Sequence, residues 1–318
     1  MAPNRNIVVQ PRDLDLLCDL FESRIFTLAQ ISKIHFDGRA EMAKKRVFKL
    51  KQAGLIAERK RHVNEPSILF LARPGFDLLR VKGLLNGYPE FTTATLIKRA
   101  NVSAQTVDHE LEVADVRVAI SCGIFPTVEF SISEFVTWPL LVEFAVAHPV
   151  TRKEMLVKPD GFFRVHEKES DGLENEHAFF LEVDRSTEAI ERLVEKAQCY
   201  LAYYNSGGYA HRNGALLSDY RNYPFRVLIV AKTAERRNNL ALRLLEAYPP
   251  ILTHTWLTTL SEVLGNPLGP IWVCPADYRG FAEREQSPSF RKGEYRRNIA
   301  RDDFLESTLT KRGIFEDG

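Results

Sequence analysis

The sequence predicts a chain of mixed architecture, α+β in its first part and α/β in its second, the second built on a mixed sheet. Three observations carry that prediction. Apolar residues recur at helical spacing in three short runs ending near Gln52, and two brief strand-like runs follow, separated by a basic turn. From about Ser103 onward, longer helical runs alternate with strand-like ones, the pattern of a sheet with helices packed on it. The length, 318 residues, exceeds that of a usual single domain. Hydrophobic residues make up 45% of the chain and charged residues 27%, which places it among folded globular chains rather than disordered ones.

The opening elements follow in order. Pro11 suits a first helical turn, where its missing N–H is not needed, and Leu14, Leu17, Leu20 and Phe21 form the apolar stripe behind it. Thr27 and Gln30 make a capping box that starts a second helix carrying Leu28 and Ile31 inward. After Asp37 and Gly38, a third helix runs from about Ala40 to Gln52, with Ala43, Val47 and Leu50 on one face and Phe48 beside it. A strand begins at Leu55 and Ile56, a basic turn spans 59–66, and Ile68 to Leu71 return as a second strand. Three helices and a two-stranded wing make a winged helix-turn-helix, assigned to residues 1–88 with a linker at 86–89.

Charge is unevenly distributed. Between Arg39 and His62, nine Lys and Arg residues face two acids, a balance of +7 in a chain whose total is +1. Such asymmetry points to an end that binds a polyanion. The expected partner is double-stranded DNA, with Lys44, Lys45, Arg46 and Lys49 on the third helix and Arg59, Lys60 and Arg61 on the wing as its contacts. Most of these would meet phosphate and supply affinity without sequence preference.

The second domain is expected over 103–275, with the order α-β-β-β-α-β-α. A helix spans Thr106 to Ser121 and a strand Val128 to Phe135; the Pro159 and Phe179 segments form a hairpin whose connection runs from His166 to His177. A helix follows from about Thr187 to Tyr204, then a central strand from Phe225 to Ala231 and a helix from Ala234 to Ala247. On the Phe179 strand, alternation puts Glu182 and Asp184 on one face with Phe180. Acids buried beside aromatics require a positive partner, and Mg²⁺ or Mn²⁺ held with Asp160 is the simplest one.

This order, with Pro159-Asp160-Gly161 on one strand and Glu182-Val183-Asp184 on the next, resembles the restriction-endonuclease-like nuclease superfamily. With the preceding winged helix, the run Glu182 to Glu188 and the pair Lys196 and Tyr200, it more specifically resembles the replication-relaxation family of plasmids and other mobile elements. The resemblance implies Asp160 and Glu182 as metal ligands and a lysine where this chain has Asp184. Lys196, on the following helix, is the candidate replacement. The candidate catalytic set is therefore Asp160, Glu182, Asp184 and Lys196, acting in metal-dependent hydrolysis of a phosphodiester.

Other readings stay open beside this one. Asp160 next to Pro and Gly also reads as a turn residue, Glu182 or Asp184 as a helix cap, and Lys196 as a surface lysine. The alternative function is a non-catalytic regulator or replication accessory factor on a degenerate nuclease fold. Replication or mobilisation proteins and a second copy of the chain are further expected partners. The four cysteines lack the spacing of a zinc or redox site. No apolar run reaches the ~20 residues of a membrane span, and a cytoplasmic location without membrane contact is expected. Residues 276–318 read as a charged tail, solvated or ordered only on a partner.

Overall fold

The computed structural model describes residues 7–60, 65–137, 140, 143–169, 172, 174–286, 305–306 and 308–316. The chain is α+β with a mixed five-stranded sheet, and it divides into two compact units: Met1–Cys122 with Val136–Leu140, and Gly123–Phe135 with Leu141–Gly318.

The first unit contains α1 (Pro11–Ser23), β1 (Phe26–Thr27), α2 (Leu28–Phe36), α3 (Ala40–Gln52), β2 (Ile56–Glu58), β3 (Ile68–Leu71), α4 (Arg73–Val81), α5 (Thr93–Ala100) and nearly all of α6 (Ala104–Ile124). The capping box at α2 forms as expected: Gln30 N–H donates to Thr27 Oγ1 at 3.2 Å and Thr27 N–H to Gln30 Oε1 at 2.7 Å. Asp37 and Gly38 both take left-handed backbone, φ 52° and 76°, which turns the chain sharply from α2 into α3. The small sheet has the order β1-β3-β2 and is antiparallel throughout. Its third strand, β1, has two residues, too few to show alternation in the sequence.

Leu16, Leu17, Leu20, Phe21, Ile31, Phe36, Val47, Leu50, Phe76 and Leu79 share one core, to which α6 adds Ala114 and Val118. Each Leu, Ile, Val and Phe among them contributes about 1.5–3 kcal/mol by leaving water. Helix α6, expected to open the second domain, instead belongs mostly to the first unit. Arg117 fastens it there: its buried guanidinium donates to Asp19 at 2.5 Å, Glu22 at 2.6 Å and Ser23 at 2.6 Å, all on α1. Helix α5 occupies a stretch left unassigned in the sequence, capped by Thr92 and burying Leu96.

The second unit contains β4 (Phe130–Thr137, whose last two residues fall in the first unit), β5 (Phe144–Ala147), β6 (Glu154–Val157), β7 (Gly161–Lys168), β8 (Glu174–Asp184), α7 (Ile190–Asn205), α8 (Gly208–Arg212), β9 (Arg226–Ala231), α9 (Ala234–Glu246), β10 (Thr255–Thr259), α10 (Leu260–Gly265) and α11 (Arg279–Gln286). Its sheet has the order β10-β9-β8-β7-β4, with β8 parallel to β9, β9 parallel to β10, and β7 antiparallel to β8. The β7–β8 ladder runs out to Lys168 and Glu174, so His166 and His177 lie on strands and not in the connection expected between them. Alternation sorts the aromatics onto two faces. Phe180 and Phe162 meet Tyr200, Tyr209 and Phe225 on one side, while on the other Phe163 stacks with Phe135 and Phe179, and Phe315 meets Phe179 edge to face.

Part of the expected charged tail is packed. Leu305 and Ile314 are fully buried, Phe315 stacks on Phe130 at 4.1 Å, and Arg312 grips Asp277 with two hydrogen bonds of 2.7 and 2.6 Å. Arg237, with no exposed surface, pairs with Glu306 of this segment and with Glu262. A few apolar anchors among many charges suffice when the charges find fixed partners.

Candidate functional site

Three of the four candidate catalytic residues converge at the C-terminal end of β8. Asp160 sits just before β7, where its N–H donates to Leu181 O at 3.1 Å and its Oδ2 accepts the Val183 N–H at 2.8 Å. Pro159 removes a donor and is buried, so the chain enters β7 with Asp160 presented to the neighbouring strand. Glu182 is 2% exposed. Lys196 reaches it from α7, Nζ to Oε2 2.6 Å, and Tyr200, one turn further along that helix, donates to Oε1 at 2.7 Å.

The electrostatics follow from burial. Desolvation pushes the Glu182 carboxyl up to about 7, and the nearby Asp160 adds to the rise, against the opposing pull of Lys196 and Tyr200. Lys196 is held in its charged form, because Glu182 and Asp160 outweigh the cost of its own burial. Tyr200 is held protonated by burial and by the acid it serves. The result is a desolvated Glu182 beside a half-buried Asp160, with one ammonium aimed at it.

Asp184 does different work. Its carboxylate takes Arg236 Nε at 2.6 Å, and its Oδ1 accepts the Ser186 N–H at 2.9 Å. Ser186 has φ 62°, a left-handed conformation rarely adopted without glycine, in the turn that leads from β8 to α7. Arg236 also donates to Glu188 O at 2.6 Å. Asp184 and Arg236 together fix the turn that positions the helix bearing Lys196 and Tyr200. Arg236 is fifty-two residues away in the chain and left no signal in the sequence. Tyr200, at i+4 from Lys196, was open to inference as sharing its helix face.

Two carboxylates of hard oxygen donors fit Mg²⁺ or Mn²⁺ in kind. Each Glu182 oxygen accepts one hydrogen bond and a carboxylate offers about four lone-pair positions, so capacity for a cation persists. Among the described residues no group of three or more His, Cys, Asp or Glu is arranged to hold a metal. The protein would thus supply Asp160 and Glu182, and water or substrate the remainder, as Mg²⁺ accepts.

A model of the family described as replication-relaxation matches residues 17–217, which is more than half of the chain and includes every residue of this site except Arg236. The chain belongs to the replication-relaxation family. Comparison with curated proteins and with solved structures returns no match. Membership ties this chain to replication and relaxation, and the matched stretch also takes in the basic segment of the first unit.

In that segment, Lys44, Lys45 and Lys49 are exposed along α3, and Lys60 is exposed after β2. Arg46 is otherwise engaged. Its Nε donates to Asp13 Oδ1 at 2.7 Å, its other nitrogen to Asp13 Oδ2 and Val8 O, and Asp13 is fully buried. Arg59 donates to Val102 O at 2.9 Å. Arg61 lies outside the described residues. No described helix is long and apolar enough to cross a membrane.

Proposed function

We propose that this replication-relaxation protein binds duplex DNA through its first unit, as a winged helix, and hydrolyses a phosphodiester with the Asp160, Glu182 and Lys196 site of its second, a restriction-endonuclease-like domain. One observation carries the catalytic half of this reading: the Lys196 ammonium stands 2.6 Å from the buried Glu182 carboxylate, beside Asp160, although no lysine stands at the strand position where the superfamily keeps one. Helix α7 supplies the cation that β8 lacks. The DNA half is supported by α3 following α2 across a tight turn, with three exposed lysines along it and a two-stranded hairpin behind it.

Asp160 and Glu182 would hold Mg²⁺ or Mn²⁺, which supplies Lewis-acid polarisation of the phosphoryl oxygen and a more acidic bound water when present. Lys196 then neutralises charge developing on the phosphoryl group, and Tyr200 keeps Glu182 oriented. A plasmid or other mobile element is the proposed substrate, in keeping with the resemblance that the sequence carries.

Incubating the purified chain with supercoiled plasmid and Mg²⁺ or Mn²⁺ tests the reading. Nicked circles that disappear with EDTA, and that fall at least about a hundredfold in Asp160→Ala and Lys196→Met, are the expected result. Equal nicking by those variants would overturn the site. Binding without nicking under any metal would leave the accessory-factor reading in its place.

A further inference from the structure

Phe48 is the more exposed of two large apolar residues, with Met42, that lie off the buried stripe of α3. The buried stripe of that helix is Ala43, Val47 and Leu50, and Phe48 lies off it with 58% of its surface exposed. A single exposed hydrophobic residue is ordinary; its setting here is not. Lys44 and Lys45 precede it by one turn and Lys49 follows it, all exposed, so an aromatic ring stands inside a cationic face of a helix whose other side is anchored in the core. Strong helix formers would serve a merely solvated face better than phenylalanine.

Charge decides what such a face can meet. A second copy of the chain would bring the same lysines together well within a Debye length, and like charges would oppose the contact. A duplex has the complementary arrangement: phosphates flanking a groove whose floor carries one apolar group, the thymine 5-methyl, which side chains such as Phe contact.

On the footing of the DNA-binding reading above, we propose that Phe48 reads thymine in the major groove by packing on its 5-methyl group, while Lys44, Lys45 and Lys49 hold the flanking phosphates. The lysines then supply affinity and Phe48 supplies sequence preference.

The test begins with selection of the full chain on a duplex library with a randomised core. The enriched duplex is compared with the same duplex carrying deoxyuridine for thymidine, which removes the methyl groups alone. Wild type should lose about three- to fivefold in affinity for each contacted methyl. Phe48→Ala should bind both duplexes alike, at the weaker level, with the salt slope of wild type. Lys45→Ala should instead lose about one phosphate's worth of slope, roughly 0.9, and keep the discrimination. Wild type indifferent to the methyl, or Phe48→Ala still sensitive to it, overturns the inference while leaving DNA binding intact. Absence of any salt-dependent duplex binding by wild type overturns both readings. The comparison between the two duplexes needs no variant to fold, and circular dichroism of Phe48→Ala should match wild type.

Discussion

At the scale of the residue, buried partners decide the role of a side chain. Arg46 has the sequence context of a DNA contact, yet it satisfies the buried carboxylate of Asp13. Arg46→Ala is therefore expected to cost about 3 kcal/mol in urea unfolding, because the buried Asp13 carboxylate loses its cation and keeps the Gln10 N–H. Lys44→Ala, on the exposed face, should change stability by less than about 0.5 kcal/mol. In the second unit, Tyr200→Phe removes the donor to Glu182 Oε1 and should cost about 1–3 kcal/mol. His254 gives a pH signature. Burial pushes its imidazole down to about 4 from an ordinary value near 6.5, and its Nε2 has no hydrogen-bond partner among the described residues. Between those values the unfolded chain binds a proton that the folded chain refuses, so stability is lost as pH falls through that window. His254→Phe should flatten the decline in stability measured between pH 7 and pH 4, an effect of roughly 3 kcal/mol at most.

At the scale of the element, what matters is the turn between β8 and α7 and the segment at the C-terminal end. The turn holds Ser186 in a left-handed conformation through Asp184, and Arg236 of α9 clamps it. Asp184→Ala should lower stability by about 3 kcal/mol, since Arg236 loses its buried carboxylate. It should also loosen Lys196 and Tyr200, readable as raised hydrogen exchange at the start of α7. Residues 305–316 place Leu305, Ile314 and Phe315 against the second unit and bring Glu306 to Arg237. Truncation after Gln286 leaves that fully buried guanidinium with Glu262 as its remaining acid and uncovers Phe130 and Phe179. The truncated chain should bind a hydrophobic dye that the full chain does not, and melt several degrees lower.

At the scale of the whole molecule, each of the two compact units buries apolar side chains of its own, among them Phe21, Leu50 and Phe76 in the first and Phe163, Phe180 and Leu228 in the second. Equilibrium unfolding is expected to show two transitions rather than one. Arg46→Ala should move one of them and Tyr200→Phe the other, each variant leaving its counterpart in place. A single transition shifted by both variants would mean that the units unfold together.

Local periodicity was enough to place most elements of this chain. The ends of α3, the capping box of α2 and the pairing of β7 with β8 were all legible, because each depends on neighbours in sequence or on a short apolar repeat. Elements with weak local signals were not: β1 with two residues, and the β5–β6 hairpin, formed from short strands with exposed positions. Tertiary structure alone decided two further matters. It assigned α6 to the first unit through Arg117 and gave Asp184 to Arg236. Each of these is a long-range pairing of charges, and a charged side chain carries in its own sequence no record of which distant partner will neutralise it once both are taken out of water.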